Sequence, residues 1–248
     1  MKSTLRHAVL ALLAHGACHA ATPVSDADAL LATLKQQYPT AAITSVTPAP
    51  VKGLYEVVLS HKIAYTDGTG RYFVYGSVVD MKTNEDLTAA RREEASRVDV
   101  TKLPLKDAIV RVNGAGHRKI YVFSDPDCPY CRRLEPELDK LEDATIYIFL
   151  YPIDVLHPDA NRKSQAIWCQ PANDKRLEAW HRAVTGAENP TTAGCDNPVK
   201  RNAVLGASLG VVGTPTLVAA DGRVLPGMLP APRIEEWLAL PKAVAKAN

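Results

Sequence analysis

What is missing narrows the choices first. Lys plus Arg number 29 against 27 Asp plus Glu, a formal charge of only +2. No cationic excess is available for duplex nucleic acid or an anionic membrane. Five cysteines are too few for a small scaffold built on disulfides. No apolar run reaches the ~20 residues that a membrane-spanning helix needs. No internal repeat or low-complexity tract is present. What remains is ordinary globular composition, 46% hydrophobic and 23% charged, which excludes a mainly disordered or collagen-like chain. A chain of 248 residues suits one large domain or two smaller ones with a real core.

The N-terminus has the form of an export signal. Lys2 and Arg6 precede a short apolar core, Ala8 to Ala14, and Cys18-His19-Ala20 places small residues at −3 and −1 of a cut before Ala21. A buried N-terminal helix is the alternative reading. A lipoprotein reading of Cys18 is weaker, because His15 stands where an aliphatic residue is wanted. Without residues 1–20 the formal charge is neutral, and Cys128, Cys131, Cys169 and Cys195 remain. An even set of cysteines in an exported protein points to an oxidising compartment and to disulfides.

The mature chain changes texture along its length. Ser25 and Asp28 form a helix-start pattern, with Leu30, Leu31 and Leu34 at helical spacing and Pro39 as the stop. Strand-like runs follow: LYEVVLS from Leu54, KIAYTD from Lys62 and RYFVYGSVVD from Arg71, with turn chemistry at Asp67-Gly68 and Gly70. Residues 21–85 therefore read as a small α+β unit. Leu87 to Arg97 is a charged, solvated connecting helix, limited by Pro104. Beyond the Gly114 and Gly116 loop, strands at Lys119–Phe123, Thr145–Leu150, Thr216–Ala219 and Arg223–Leu225 alternate with helices. The helices are expected at Cys131–Glu142, across much of Pro158–Gly210, and at Arg233–Leu240. Such alternation implies a mixed α/β sheet covered on both faces.

The sharpest motif is Cys128-Pro129-Tyr130-Cys131, placed just after a strand and opening a helix. A sulfur at a helix N-terminus meets unpaired N–H groups and the positive end of the dipole, and both favour thiolate. Free cysteine, with pKa ~8.5, is largely protonated at neutral pH, and such settings lower the value. Cys128 is thus expected to be the exposed attacking sulfur, with Cys131 the less exposed resolving thiol. Pro129 suits the first helical turn. A zinc site would need two further ligands; Cys169 and Cys195 exist, but no second C-x-x-C or H-x₃₋₅-H accompanies them. No metal or organic cofactor is called for.

Pro136 falls inside the helix that follows, yet Leu134, Leu138 and Leu141 still mark one buried face, so a kinked continuation is expected. For Cys169 and Cys195 a structural disulfide is favoured, contributing roughly 3 kcal/mol in the chain-entropy model; a second redox pair is the alternative. Thr214-Pro215 precedes a strand, and sequence leaves its isomer open. Asp125 and Asp127 read as loop-solvating acids that slightly oppose thiolate formation. His61, His117, His157 and His181 read as surface or structural residues, none near the cysteine pair.

Several stretches together resemble the periplasmic DsbC/DsbG disulfide isomerases: VFSDPDCPYC from Val122, AIWC ending at Cys169, the later Cys195, LGASLGVVGTPTLV from Leu205 and DGRVLPG from Asp221. The resemblance implies a thioredoxin-like catalytic domain with a helical insertion (residues 106–248), a linker helix (86–105) and a small cystatin-like α+β dimerisation domain (21–85) after the signal peptide (1–20). It implies Cys128 as nucleophile, Cys131 as resolving thiol, Pro215 as a cis-proline beside them, Thr214 as a substrate-backbone contact, and Cys169–Cys195 as a structural bridge; Tyr130, next to the nucleophile, fits the apolar cleft that an unfolded client needs. It also implies a periplasmic homodimer that repairs misfolded disulfide-containing exported proteins, is kept reduced by a DsbD-type membrane reductase and has no nucleic-acid partner. Pro129-Tyr130 between the cysteines is the DsbG-like feature, and the AIWC cysteine with its partner is the DsbC-like one. A reductase of oxidised single cysteines, a net dithiol oxidase and a chaperone-like client-binding dimer are the competing functions.

Overall fold

The computed structural model describes residues 25–187, 190–191 and 194–239. The export signal, Cys18 and the end of the last helix at Leu240 lie outside the described residues.

The first unit grows from α1 (Asp26–Gln37), where the Ser25 hydroxyl accepts from the Asp28 amide at 3.2 Å, the cap that the sequence pattern implied. Buried Leu30 and Leu34 lay this helix on a four-stranded antiparallel sheet. Its strands, β1 (Ile43–Pro48), β2 (Leu54–Leu59), β3 (Lys62–Asp67) and β4 (Phe73–Val74), run in chain order across the sheet. β1 is absent from the sequence reading. Its register shifts between Ile43 and Ser45, so the two-residue alternation that marks a strand is broken there.

RYFVYGSVVD is not one strand. Gly76 interrupts it, since an interior glycine weakens a strand, and the chain leaves the sheet after β4. The continuation forms β5 (Val79–Asp80), which pairs with β6 (Glu85–Asp86) instead. The Asp86 carboxylate then caps α2 (Leu87–Ala95). This helix is less solvated than expected. The buried Thr88 hydroxyl meets the Tyr65 hydroxyl at 2.6 Å, and Arg91 pairs with buried Glu56 at 3.0 Å, so α2 lies against β3 and β2.

The second unit is a five-stranded mixed sheet, ordered β11-β10-β8-β9-β7. It is built from β7 (Ile109–Asn113), β8 (Arg118–Ser124), β9 (Ala144–Leu150), β10 (Thr216–Ala219) and β11 (Val224–Pro226). Only β8 and β9 run parallel. β8 shows how both faces are covered: Ile120 and Val122 join the core with Leu134, Leu138 and Ile234, whereas Tyr121 and Phe123 join Phe149, Val218 and Val98 behind the sheet. β7 escapes a sequence reading because buried Arg111 sits at its centre and breaks the apolar pattern.

Among the described residues five helices surround this sheet: α3 (Pro129–Leu138), α4 (Ala160–Trp168), α5 (Asn173–Thr185), α6 (Val199–Ser208) and α7 (Ala231–Ala239). Three of them, α4 to α6, form the insertion between β9 and β10. α3 contains Pro136 and ends at Leu138, four residues short of the expected limit. Pro136 has no N–H to donate to the preceding turn, and Leu141 reaches the core from the turn beyond the helix. β11 starts one residue later and α7 two residues earlier than the sequence reading placed them.

The two units touch through close backbone contacts. Val98 N–H donates to Gly222 O at 2.9 Å. Gly222 has φ +87°, and a Cβ there would lie 2.3 Å from Val98 O, so the turn requires glycine. His61 places its two ring nitrogens 3.2 and 3.0 Å from the carbonyls of Ala95 and Ser208, tying the β2–β3 turn to the ends of α2 and α6.

Candidate active site

β8, buried from Ile120 onward, ends at Ser124, and the chain turns through Asp125-Pro126-Asp127 into α3. Cys128 is the N-cap of that helix, with extended backbone, and Pro129 occupies the first turn. The Cys128 amide donates to Asp125 O at 3.2 Å, and Arg132 N–H donates to Cys128 O at 3.0 Å. The nucleophile candidate is therefore held from both sides by backbone bonds.

Opposite it, Thr214-Pro215 is a cis peptide. Sγ of Cys128 lies 3.2 Å from Thr214 O. The Thr214 hydroxyl is buried and has no hydrogen-bond partner among the described residues. Cys128, Cys131, Thr214 and Pro215, drawn from two distant parts of the chain, thus meet at one point. Tyr130 stands on the rim, 53% exposed, with the Arg133 guanidinium 4.5 Å from its ring centroid.

The expectation of an openly exposed Cys128 is corrected: the residue is only 4% exposed, because the Thr214 loop covers it. Burial alone would hold it protonated. The surrounding donors outweigh burial, and the Cys128 pKa falls to about 5. The Cys131 thiol is the strongest of them, and the Cys131 and Tyr130 amides add to it. Cys131 moves the opposite way. It is buried behind the helix end, and the loss of water together with the neighbouring sulfur raises its pKa far above the ordinary thiol range. One sulfur is ionised and the other holds its proton, which is the asymmetry an attacking and resolving pair requires.

Cys169 and Cys195 are joined in a disulfide with Cα atoms 5.6 Å apart. With both sulfurs bonded to each other, neither is free as a further ligand of the kind a zinc site would have needed.

Two sequence readings fail at the back of the site. Asp125 does not solvate the loop; it is fully buried. Its Oδ1 accepts the Asp127 amide at 2.8 Å, and its Oδ2 accepts the Ile153 amide at 2.8 Å and His157 Nδ1 at 2.9 Å. The Asp125 amide also faces Cys131 Sγ at 3.5 Å. His157 is therefore one residue removed from the cysteine pair. Asp127 in turn pairs with Lys163 on α4. An aspartate bonding the amide two residues on is a turn signature readable in sequence, but its partners more than 25 residues away are not.

Comparison with known proteins places these features in context. Residues 105–240 match the thioredoxin-like domain family, and residues 20–89 match the family described as the disulfide bond isomerase protein N-terminal domain. The chain is 36% identical over 219 residues to the probable thiol:disulfide interchange protein DsbC of Bordetella parapertussis, covering 88% of this chain and 76% of that protein. It is 26% identical over 197 residues to the thiol:disulfide interchange protein DsbC of Escherichia coli K12, covering 79% and 80%. Among solved structures, a disulfide interchange protein from Neisseria gonorrhoeae superposes with a TM-score of 0.51 at 47% identity, over 55% of this chain and 96% of that one.

Proposed function

The chain belongs to the DsbC family of thiol:disulfide interchange proteins, and from that premise we propose that it works as a disulfide isomerase with Cys128 as nucleophile and Cys131 as resolving thiol. The observation that carries this assignment is the position of Cys128 Sγ, at the head of α3 and 3.2 Å from the carbonyl of a cis Thr214-Pro215 pair.

The Cys128 thiolate attacks one sulfur of a client disulfide. A Cys128–client disulfide forms, the client bond breaks, and the departing client sulfur leaves as thiolate. That thiolate attacks a second client disulfide, and the exchange continues until a client sulfur displaces Cys128. No electrons are gained or lost over this cycle. In the competing route Cys131 gives up its proton and attacks Cys128, releasing a reduced client and leaving an oxidised pair. That route needs an external dithiol, for which a DsbD-type membrane reductase is the proposed donor. The raised pKa of Cys131 slows the second route and gives the client time to reshuffle.

Thr214 and Pro215 present backbone to an extended client beside the sulfur, and Tyr130 supplies an apolar rim. Val155, Leu156 and Val212 are exposed on the loops that carry His157 and Thr214, which adds to a surface for unfolded chains. The proposed division is a dimerisation unit over 21–85, a linker over 86–105 and a catalytic domain over 106–248. The short edge strand β4 and the exposed Tyr72, Val74, Tyr75 and Met81 around it are the surface through which two copies pair. Misfolded exported proteins are the proposed clients, and the periplasm is the proposed location, reached through residues 1–20. No helix among the described residues is long and apolar enough to cross a membrane.

The test is recovery of a scrambled multi-disulfide client. Wild type should restore its activity, Cys128→Ser should not, and a chain lacking residues 21–85 should be monomeric, reducing small disulfides but isomerising poorly. Equal recovery by Cys128→Ser would overturn the assignment.

A further inference from the structure

Two carboxylates stand close before the nucleophile, at Asp125 and Asp127. Negative charge near a thiolate opposes its ionisation, so their presence beside a reactive sulfur needs an explanation. Each is met by a basic side chain from one stretch of chain. His157 Nδ1 lies 2.9 Å from Asp125 Oδ2; a carboxylate oxygen only accepts, so Nδ1 carries the hydrogen. Lys163 Nζ bonds Asp127 Oδ1. Both side chains of the Lys163–Asp127 pair are largely withdrawn from solvent, 18% and 22% exposed, unlike the fully solvated pairs that contribute little.

The same contacts shape the turn. Asp125 Oδ1 holds the Asp127 amide at 2.8 Å, and its backbone carbonyl holds the Cys128 amide at 3.2 Å. From outside, the Ile153 amide and His157 fix the other carboxylate oxygen. The chain before α4 therefore grips the turn that delivers the nucleophile.

We propose that the segment from Ile153 to Lys163 is a positioning element for Cys128: His157 and Lys163 pin the Asp125–Cys128 turn, and Lys163 brings the counter-charge to Asp127 beside the thiolate. This rests on the reading of Cys128 as attacking sulfur. Neither basic residue is a catalytic residue; both act through Asp125 and Asp127. The Asp125 carboxylate and backbone carbonyl hold the Asp127 and Cys128 amides of the turn, so the turn accepts an electrostatic cost for a fixed geometry, and Lys163 offsets that cost at Asp127.

The experiment uses the full mature chain in its reduced form and follows thiolate absorbance in the ultraviolet against pH. Wild type, Lys163→Met, Lys163→Arg and His157→Ala are compared, with Cys128→Ser as the blank. Lys163→Met and His157→Ala should each raise the Cys128 midpoint by about half a pH unit, a threefold change in ionisation constant, and Lys163→Arg should restore it. A purely structural role would lower the melting temperature without moving the midpoint. Should His157→Ala fail to fold, the Lys163 variants decide, because that pair lies nearer the surface. A Lys163→Met midpoint equal to wild type would overturn the proposal. A wild type with no absorbance step removed by Cys128→Ser would instead overturn the nucleophile assignment beneath it.

Discussion

The lowered pKa of Cys128 ties the redox state of the protein to its stability, and the size of that link can be worked out. The folded value is about 5, against ~8.5 for an ordinary thiol. Between these values the folded reduced protein binds fewer protons than the unfolded chain, so its stability rises with pH and is lost as pH falls through about 5. The contribution at pH 7 is roughly 3 kcal/mol, and it drops below about 1 kcal/mol at pH 5. The oxidised protein has no thiol at position 128 and lacks it. Cys131, shifted upward, is protonated in both folded and unfolded chains below pH ~8 and adds nothing there. Other titrating groups are common to both redox forms, so they cancel in the difference. Urea unfolding of reduced and oxidised protein at pH 5 and pH 7 reads this directly. A Cys169→Ala/Cys195→Ala background ensures that only one pair changes state. The reduced-minus-oxidised stability should increase by 2–3 kcal/mol, roughly, from pH 5 to pH 7. The same energy raises the reduction potential at pH 7 by about 60 mV relative to a pair of ordinary thiols. A difference that stays flat between pH 5 and pH 7 would refute the reasoning.

Other expectations follow from the packing. Opening the Cys169–Cys195 bridge by double alanine substitution should cost roughly 3 kcal/mol, read as a lower urea midpoint, while Cys128 still exchanges with a small disulfide. Beneath α3, buried Arg111 pairs with buried Glu135, whose other oxygen accepts from Trp180 Nε1 at 2.9 Å. Arg111→Met strands that carboxylate and should destabilise the fold by about 3–5 kcal/mol, with a matching fall in melting temperature. Replacing Val74 by Glu at the exposed edge strand should yield a monomer by light scattering with its small-disulfide exchange intact; a dimer of unchanged mass would move the interface elsewhere.

What was legible in sequence is what local pattern controls. The Ser25 cap, the strand–CPYC–helix unit, the β10 strand after Thr214-Pro215 and the Asp221-Gly222 turn all depend on residues within a few positions of one another. The Cys169–Cys195 pairing was a favoured reading because the two lack the close spacing of a reactive pair, and the family resemblance implied it as well. What escaped depends on distance. Asp125 and His157 meet across 32 residues, Asp127 and Lys163 across 36, and Arg111 and Glu135 across 24. A buried acid and a solvated acid look the same until the fold supplies the partner. β7 was missed for the same reason, since its central arginine reads as exposed until Glu135 is placed beside it. β1 was hidden by its bulge, and Gly76 split a run whose composition alone read as one strand.

The account rests on the Cys128 sulfur being the atom that joins the client. Cys131→Ala, incubated with a disulfide-bearing client and resolved without reductant, tests it most directly, because the resolving thiol is gone and the mixed disulfide persists. A client adduct mapped by mass spectrometry to Cys128 is the expected result; no adduct, or one mapped to Cys169 or Cys195, would contradict it.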